Sequence, residues 1–285
     1  MPLSHRGRVT RNVVLAGVTV LAVGVGAFAL RGGSHPFGSP SCQATASGTT
    51  FEYTPEQMAN AATIAGIAMK RGLPARAATI ALATARQESK FINVDYGDRD
   101  SLGLFQQRPS QGWGTKAQVS DPVYATNAFY DVLTKIEGYR SMEITKVAQK
   151  VQRSAYPEAY ADHEPEGRVL ASALSGNSKA ALTCRLDPDS TSGGAAAVAP
   201  YLKALGREQV AVQSSRLTGK VPGVRLDAPG VTTAWSLAQW SVAGADRLGI
   251  ERVYVDGKVW DRAKPDDGWT ASSDGGDGVV VTFAP

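Results

Sequence analysis

The chain has 285 residues and a mass of 29.9 kDa, which is room for two modest domains or one large one. At 43% hydrophobic and 20% charged residues it has a globular composition, and four arginines of its +4 net charge (Arg6, Arg8, Arg11, Arg31) flank one apolar run. The remainder is close to neutral and lacks the basic stripe of a nucleic-acid binder; two cysteines and three histidines are too few for a zinc ribbon; one apolar run excludes a multi-span channel or transporter.

That run, Val13 to Leu30, is eighteen residues without a charge, preceded by His5, Arg6, Arg8 and Arg11. Basic residues before it hold the N-terminus inside, so the rest of the chain is expected outside the cytoplasm. Two outcomes fit. Ala27-Phe28-Ala29 offers a small-x-small cleavage site for a signal peptide, while the length reaches the lower limit of a membrane span. The preferred expectation is a single retained N-terminal hydrophobic helix over 1–30 that tethers the protein to the membrane. Residues 31–50, mostly Gly, Ser, Thr and Pro, read as a spacer. Cys42 and Cys184, exported and on either side of a helical region, are expected to form a disulfide, contributing about 5 kcal/mol in the chain-entropy model.

Helical signals begin at Thr54-Pro55-Glu56-Gln57, an N-cap, a proline at the first helical position and a capping-box glutamine. Met58, Ala62, Ala65 and Met69 recur at helical spacing, and Gly72 stops the run. A second, alanine-rich helix runs from Pro74 to about Ser89. A third starts at Asp121-Pro122 with Phe129, Leu133 and Ile136 on one face, a fourth at Ser141, and a fifth lies within Gly167 to Leu174. Between the second and third, Phe91 to Ser120 is too long for a simple connector, and such segments are usually functional. The 51–185 portion is therefore read as a mainly α domain. Residues 186–199 read as a linker, and 200–285 as a small α+β accessory domain. In the latter a helix is expected over Thr233 to Leu248, a hairpin at Val253 to Trp260 turning on Asp256-Gly257-Lys258, and a strand at Gly278 to Phe283.

The chemistry concentrates around Glu88. Ala77, Ala81, Thr84 and Ala85 precede it by eleven, seven, four and three residues and share its helix face, so the carboxylate ends a stripe that is mostly alanine. Poor solvation and the negative end of the helix dipole both favour the protonated form, which suits a general acid. Without neighbouring motifs, a solvated surface glutamate would be the better reading.

Those motifs are present. Gln87-Glu88-Ser89 is followed by Gly103-Leu104-Phe105-Gln106 and by Pro109, and this pattern resembles that of soluble-lytic-transglycosylase and goose-type-lysozyme domains. The stretch Ser101 to Gly114, ending Gln111-Gly112-Trp113-Gly114, is similar to exported actinobacterial cell-wall proteins. The resemblance covers roughly residues 50–185. It implies a lysozyme-like fold and cleavage of the β-1,4 bond between N-acetylmuramic acid and N-acetylglucosamine in peptidoglycan glycan strands, with neither metal nor organic cofactor. On it, Glu88 matches the catalytic acid and Ser89 the residue that hydrogen-bonds near it. Gly103, Leu104 and Gln106 match the loop lining the sugar cleft, with Ser101 and Gln107 flanking them. A tyrosine is expected to reach the glutamate; Tyr156 is the choice, although neither Ala125–Tyr130 nor Gln152–Pro157 matches the third motif cleanly.

The mechanism turns on a second carboxylate. An inverting hydrolase needs one about 6.5–9.5 Å from the acid, and Asp95, Asp98 and Asp100 are available, although the same residues also suit a polar turn. A lytic transglycosylase needs none, because the C6 hydroxyl of the muramic acid closes a 1,6-anhydro ring; that chemistry is the preferred expectation. Trp113 and Tyr96 are candidate sugar-stacking platforms or ordinary packed aromatics, and Trp235, Trp240, Trp260 and Trp269 serve either a wall-binding face or a small core. A non-catalytic glycan-binding module and a membrane-assembly protein stay open as alternatives.

Overall fold

The computed structural model describes residues 39–153, 157–187, 193–204, 212–217, 221–274 and 278–283. It is a mixed α+β architecture with two antiparallel sheets. The expected membrane helix over 1–30 lies outside the described residues; among those described, no helix is long and apolar enough to cross a membrane.

The stretch expected to be a spacer instead contains a strand. Ser41-Cys42-Gln43-Ala44-Thr45-Ala46 alternates small apolar and polar side chains and forms β1 (Ser41–Ala46) with Cys42, Ala44 and Ala46 buried. It turns through Ser47 and Gly48, both at positive φ, into β2 (Thr49–Tyr53), the backbone that a two-residue hairpin requires. Composition hid the strand, because Ser, Thr and Gly are equally common in linkers.

Thr54 then caps α1 (Pro55–Lys70): its Oγ1 accepts from the Gln57 N–H, and Gln57 Oε1 accepts from the Thr54 N–H at 2.8 Å. The helix is buried continuously from Met58 to Ala68. Next comes α2 (Ala75–Ser89), whose residues Ala77 to Ala85 are all buried and which ends on Lys90 in the left-handed conformation. After the long segment come α3 (Lys116–Val119), α4 (Pro122–Leu133) capped by Asp121, α5 (Ile144–Gln152), a 3-10 turn at Pro157–His163, and α6 (Glu164–Leu174). The fourth expected helix starts three residues late, at Ile144, and Ile136 falls beyond the end of α4 while still packing on the core.

Small side chains let α2 and α6 approach closely. A Cβ on Gly167 would lie 2.7 Å from the Thr79 carbonyl oxygen and 3.2 Å from the Ala83 nitrogen. The chain then returns as β3 (Leu182–Arg185), antiparallel to β1, giving the order β2-β1-β3. Cys42 stands opposite Cys184 in this register, with Cα atoms 4.0 Å apart, and the two form the expected disulfide.

Beyond it, part of the expected linker is helical: α7 (Ala195–Ala204) is built largely of alanine, a strong helix former. The strands β4 (Val212–Leu217) and β5 (Val221–Leu226) precede α8 (Val231–Ala243) and α9 (Ala245–Leu248); Gly244 divides what was expected as one helix. A six-stranded sheet follows from β6 (Ile250–Val255), β7 (Lys258–Asp261), β8 (Trp269–Ala271) and β9 (Val279–Phe283), in the order β4-β5-β9-β6-β7-β8. The β6–β7 hairpin turns on Asp256 and Gly257, both at positive φ, leaving Lys258 as the first residue of β7.

Helix α8 joins the two halves. Every residue from Ala234 to Ala243 is buried, because one side meets α1 and α6 and the other the six-stranded sheet. Ser236 Oγ donates to the Leu174 carbonyl at 2.7 Å. Gln239 spans the boundary with its Nε2 on the Ala173 and Ser178 carbonyls and its Oε1 accepting from the Ala181 N–H. Residues Ser39–Pro285 accordingly form one compact unit.

Candidate functional site

The last turn of α2 delivers Glu88 to the wall of a cavity of about 440 Å³. Burial raises its pKa above the ordinary carboxylate range, and hydrogen bonds from Tyr160 and Gln152 act more weakly the other way. Tyr160 Oη donates to Glu88 Oε1 at 2.6 Å. Tyr160 is buried in the 3-10 turn at Pro157–His163, between α5 and α6, and Gln152 ends α5. The α2 face beneath is closed off: Ala77, Ala81, Thr84 and Ala85 are fully buried, and the Thr84 hydroxyl donates to the Ile80 carbonyl at 2.8 Å.

Tyr156, the tyrosine expected from sequence, lies outside the described residues; among those described, Tyr160 meets Glu88. Tyr160 is brought to Glu88 by the 3-10 turn between α5 and α6, a placement that no local sequence signal marks. Gln152 was read only as part of an imperfect third motif, yet its side chain reaches Glu88 and also donates to the Phe105 carbonyl at 2.7 Å.

Several residues expected in the cleft support it from behind. Ser89 Oγ donates to the Ala85 and Leu104 carbonyls at 3.1 and 2.8 Å, tying the end of α2 to the loop. Leu104 is fully buried, and Phe105 stacks on Phe129 of α4 with ring centroids 4.7 Å apart. Paired backbone bonds between Leu102 and Gln107, at 3.1 and 3.0 Å, pinch the loop closed. Gly103 sits at φ +77°, where a Cβ would come within 2.3 Å of the Val119 carbonyl oxygen, so only glycine fits. Gln107 is buried and donates to the Ala125 carbonyl at 3.0 Å. None of Ser89, Gly103, Leu104 and Gln107 forms the cavity wall.

Ser101, Gln106 and Trp113 do line it. Gln106 also braces the loop, its Nε2 donating to the Tyr96 carbonyl at 3.2 Å and the Gly103 carbonyl at 3.3 Å. Trp113 is half-buried against the core and lines the cavity, whereas Tyr96 is 72% exposed and stands outside the wall.

The three aspartates separate by position. Asp98 lines the cavity; Asp95 does not. Asp100 is committed elsewhere: its oxygens accept from the Ser110 N–H at 2.7 Å, the Ser110 hydroxyl at 2.8 Å and Arg108 Nε at 3.1 Å. The Ser110 bonds above all, with Arg108, hold its pKa down at about 2. A carboxylate so occupied is a clamp rather than a base. Gln111 and three arginines, Arg99, Arg108 and Arg153, also line the wall, and the cationic component has no signal in the sequence motifs. Among the described residues no group of His, Cys, Asp and Glu is arranged to hold a metal ion. Set beside known proteins, the chain matches no family model and no curated protein.

Proposed function

We propose that this protein is an exported peptidoglycan-cleaving enzyme with a lysozyme-like helical portion, acting on the bond between N-acetylmuramic acid and N-acetylglucosamine as a lytic transglycosylase. The observation that carries the reading is Glu88, a carboxyl whose pKa burial raises, opening on a cavity with one oxygen held by Tyr160. Protonated Glu88 gives its proton to the glycosidic oxygen as the C1–O bond breaks, and positive charge develops at C1. The resulting carboxylate then takes the proton of the muramic C6 hydroxyl while that oxygen bonds to C1. Glu88 ends protonated, and the product carries a 1,6-anhydro ring. The Tyr160 hydrogen bond is stronger to the carboxylate than to the acid, so it steadies Glu88 in its intermediate state. The apolar run at 13–30 supports export, either anchored in the membrane or released to the wall.

A hydrolytic variant is favoured by one observation: Asp98 shares the cavity with Glu88 and is the remaining carboxylate in its wall. Digestion of purified sacculi separates the readings. Transglycosylation yields muropeptides lighter by one water than hydrolytic ones, and Glu88→Gln should lower release by about 10²–10⁴-fold while glycan binding persists. Undiminished release by that variant defeats the enzyme reading. Products with reducing ends, lost in Asp98→Asn, would establish the hydrolase. Binding without release by the unmutated chain would leave a glycan-binding module.

A further inference from the structure

The cavity wall carries three arginines. Arg108 is fixed: Asp100 grips its Nε at 3.1 Å and is itself gripped by the Ser110 N–H and hydroxyl. Arg99 and Arg153 stand on residues in the left-handed conformation, at φ 56° and 52°, a backbone that ordinary side chains rarely adopt. Both are exposed, both line the cavity, and neither has an ion pair among the described residues. With Asp100 turned to Arg108, the anions within the wall are Asp98 and, only when ionised, Glu88. Positive charge therefore exceeds negative on this surface. Burial raises the Glu88 pKa, and two neutral donors, Tyr160 and Gln152, oppose that rise.

Where the lactyl carboxyl of each muramic acid is taken up in an amide bond to a peptide, the backbone of N-acetylated sugars is uncharged, so nothing at the scissile bond of a peptide-bearing strand calls for three guanidinium groups. Arginine forks match carboxylates in geometry and charge. We infer that the Arg99–Arg108–Arg153 wall is a specificity element that holds the carboxylates of the peptide substituents borne by the muramic acid units, so that the preferred substrate is a peptide-bearing, unamidated strand. This rests on the glycan-strand reading of the same cavity and names the part of the strand that the cavity selects.

The test uses the full-length chain carrying Glu88→Gln, and sacculi freed of wall-attached polymers whose peptide carboxyls are either free or converted to amides. Retention on free-carboxyl sacculi should exceed that on amidated sacculi by about three- to tenfold at low salt, as expected of two partly exposed ion pairs. Adding R99Q and R153Q should remove the preference, and R99K with R153K should restore part of it. Both positions are exposed, so these changes leave the core intact. Equal retention on the two sacculi, or a preference that survives loss of both arginines, overturns the inference. Muropeptide release by the unmutated chain, read in parallel, tests cleavage alone: a carboxyl preference without release would still support the arginine wall while removing the transglycosylase.

Discussion

A carboxyl whose pKa is raised by burial is destabilising to the fold once the pH exceeds that raised value, because the folded state must then bury a charge. Glu88 therefore contributes most to stability below the ordinary carboxylate pKa, and that contribution is lost as pH rises through the raised folded value. Glu88→Gln removes the titration while keeping shape. The variant should unfold at a higher temperature than the unmutated protein near neutral pH, with the advantage shrinking on acidification; calorimetry at two pH values checks this. Tyr160 pulls the same pKa downward, so Tyr160→Phe should let it rise further. The alkaline limb of the kcat/KM profile should shift to higher pH, and kcat should fall by about ten- to a hundredfold, the worth of one charge-assisted hydrogen bond. A shift to lower pH would mean that Tyr160 does not stabilise the ionised form.

At the scale of elements, the site depends on how closely α2 and α6 pack, since α2 carries Glu88 and the turn leading into α6 carries Tyr160. Gly167→Ala places a methyl 2.7 Å from the Thr79 carbonyl oxygen, and one helix must retreat. Overpacking of this kind should lower stability by about 1–3 kcal/mol in denaturant titration and weaken the Tyr160–Glu88 contact, so activity should fall with it. At this scale the sequence was informative wherever the controlling interactions are local. The Thr54–Gln57 box, the Asp121 cap and the Asp256-Gly257 turn are readable because each is set by residues within four positions of one another, and the alanine stripe because its successive members recur within four. The Ser41–Ala46 strand and the break at Gly244 are not, because long-range pairing and packing decide them.

For the whole molecule, the boundary drawn from composition at 186–199 does not divide the packing. Removing residues 200–285 would uncover α1 and α6 and strip the Gln239 side chain from the Ala173 and Ser178 carbonyls. The truncated chain should be insoluble or lack cooperative unfolding, which a solubility assay and a melting curve read directly. The disulfide links β1 to β3 and encloses every helix from α1 to α6. Reducing it, or replacing both cysteines by serine, should lower unfolding free energy by up to about 5 kcal/mol, the chain-entropy value for a separation of 142 residues.

Residue type and short-range spacing, which act before the chain is folded, place Glu88 at the end of an alanine face; the Gly103–Gln106 loop is legible through a family resemblance, and the cysteine pairing through expected export. Tertiary structure alone chose Tyr160 and Gln152 as the partners of Glu88, assigned Asp100 to Arg108 and Asp98 to the cavity, and gathered Arg99, Arg108 and Arg153 on one wall. The contacts of Glu88 join residues from separate elements, Tyr160 standing 72 positions along the chain from it. Their separation in space is set by helix packing, which no local pattern of side chains encodes.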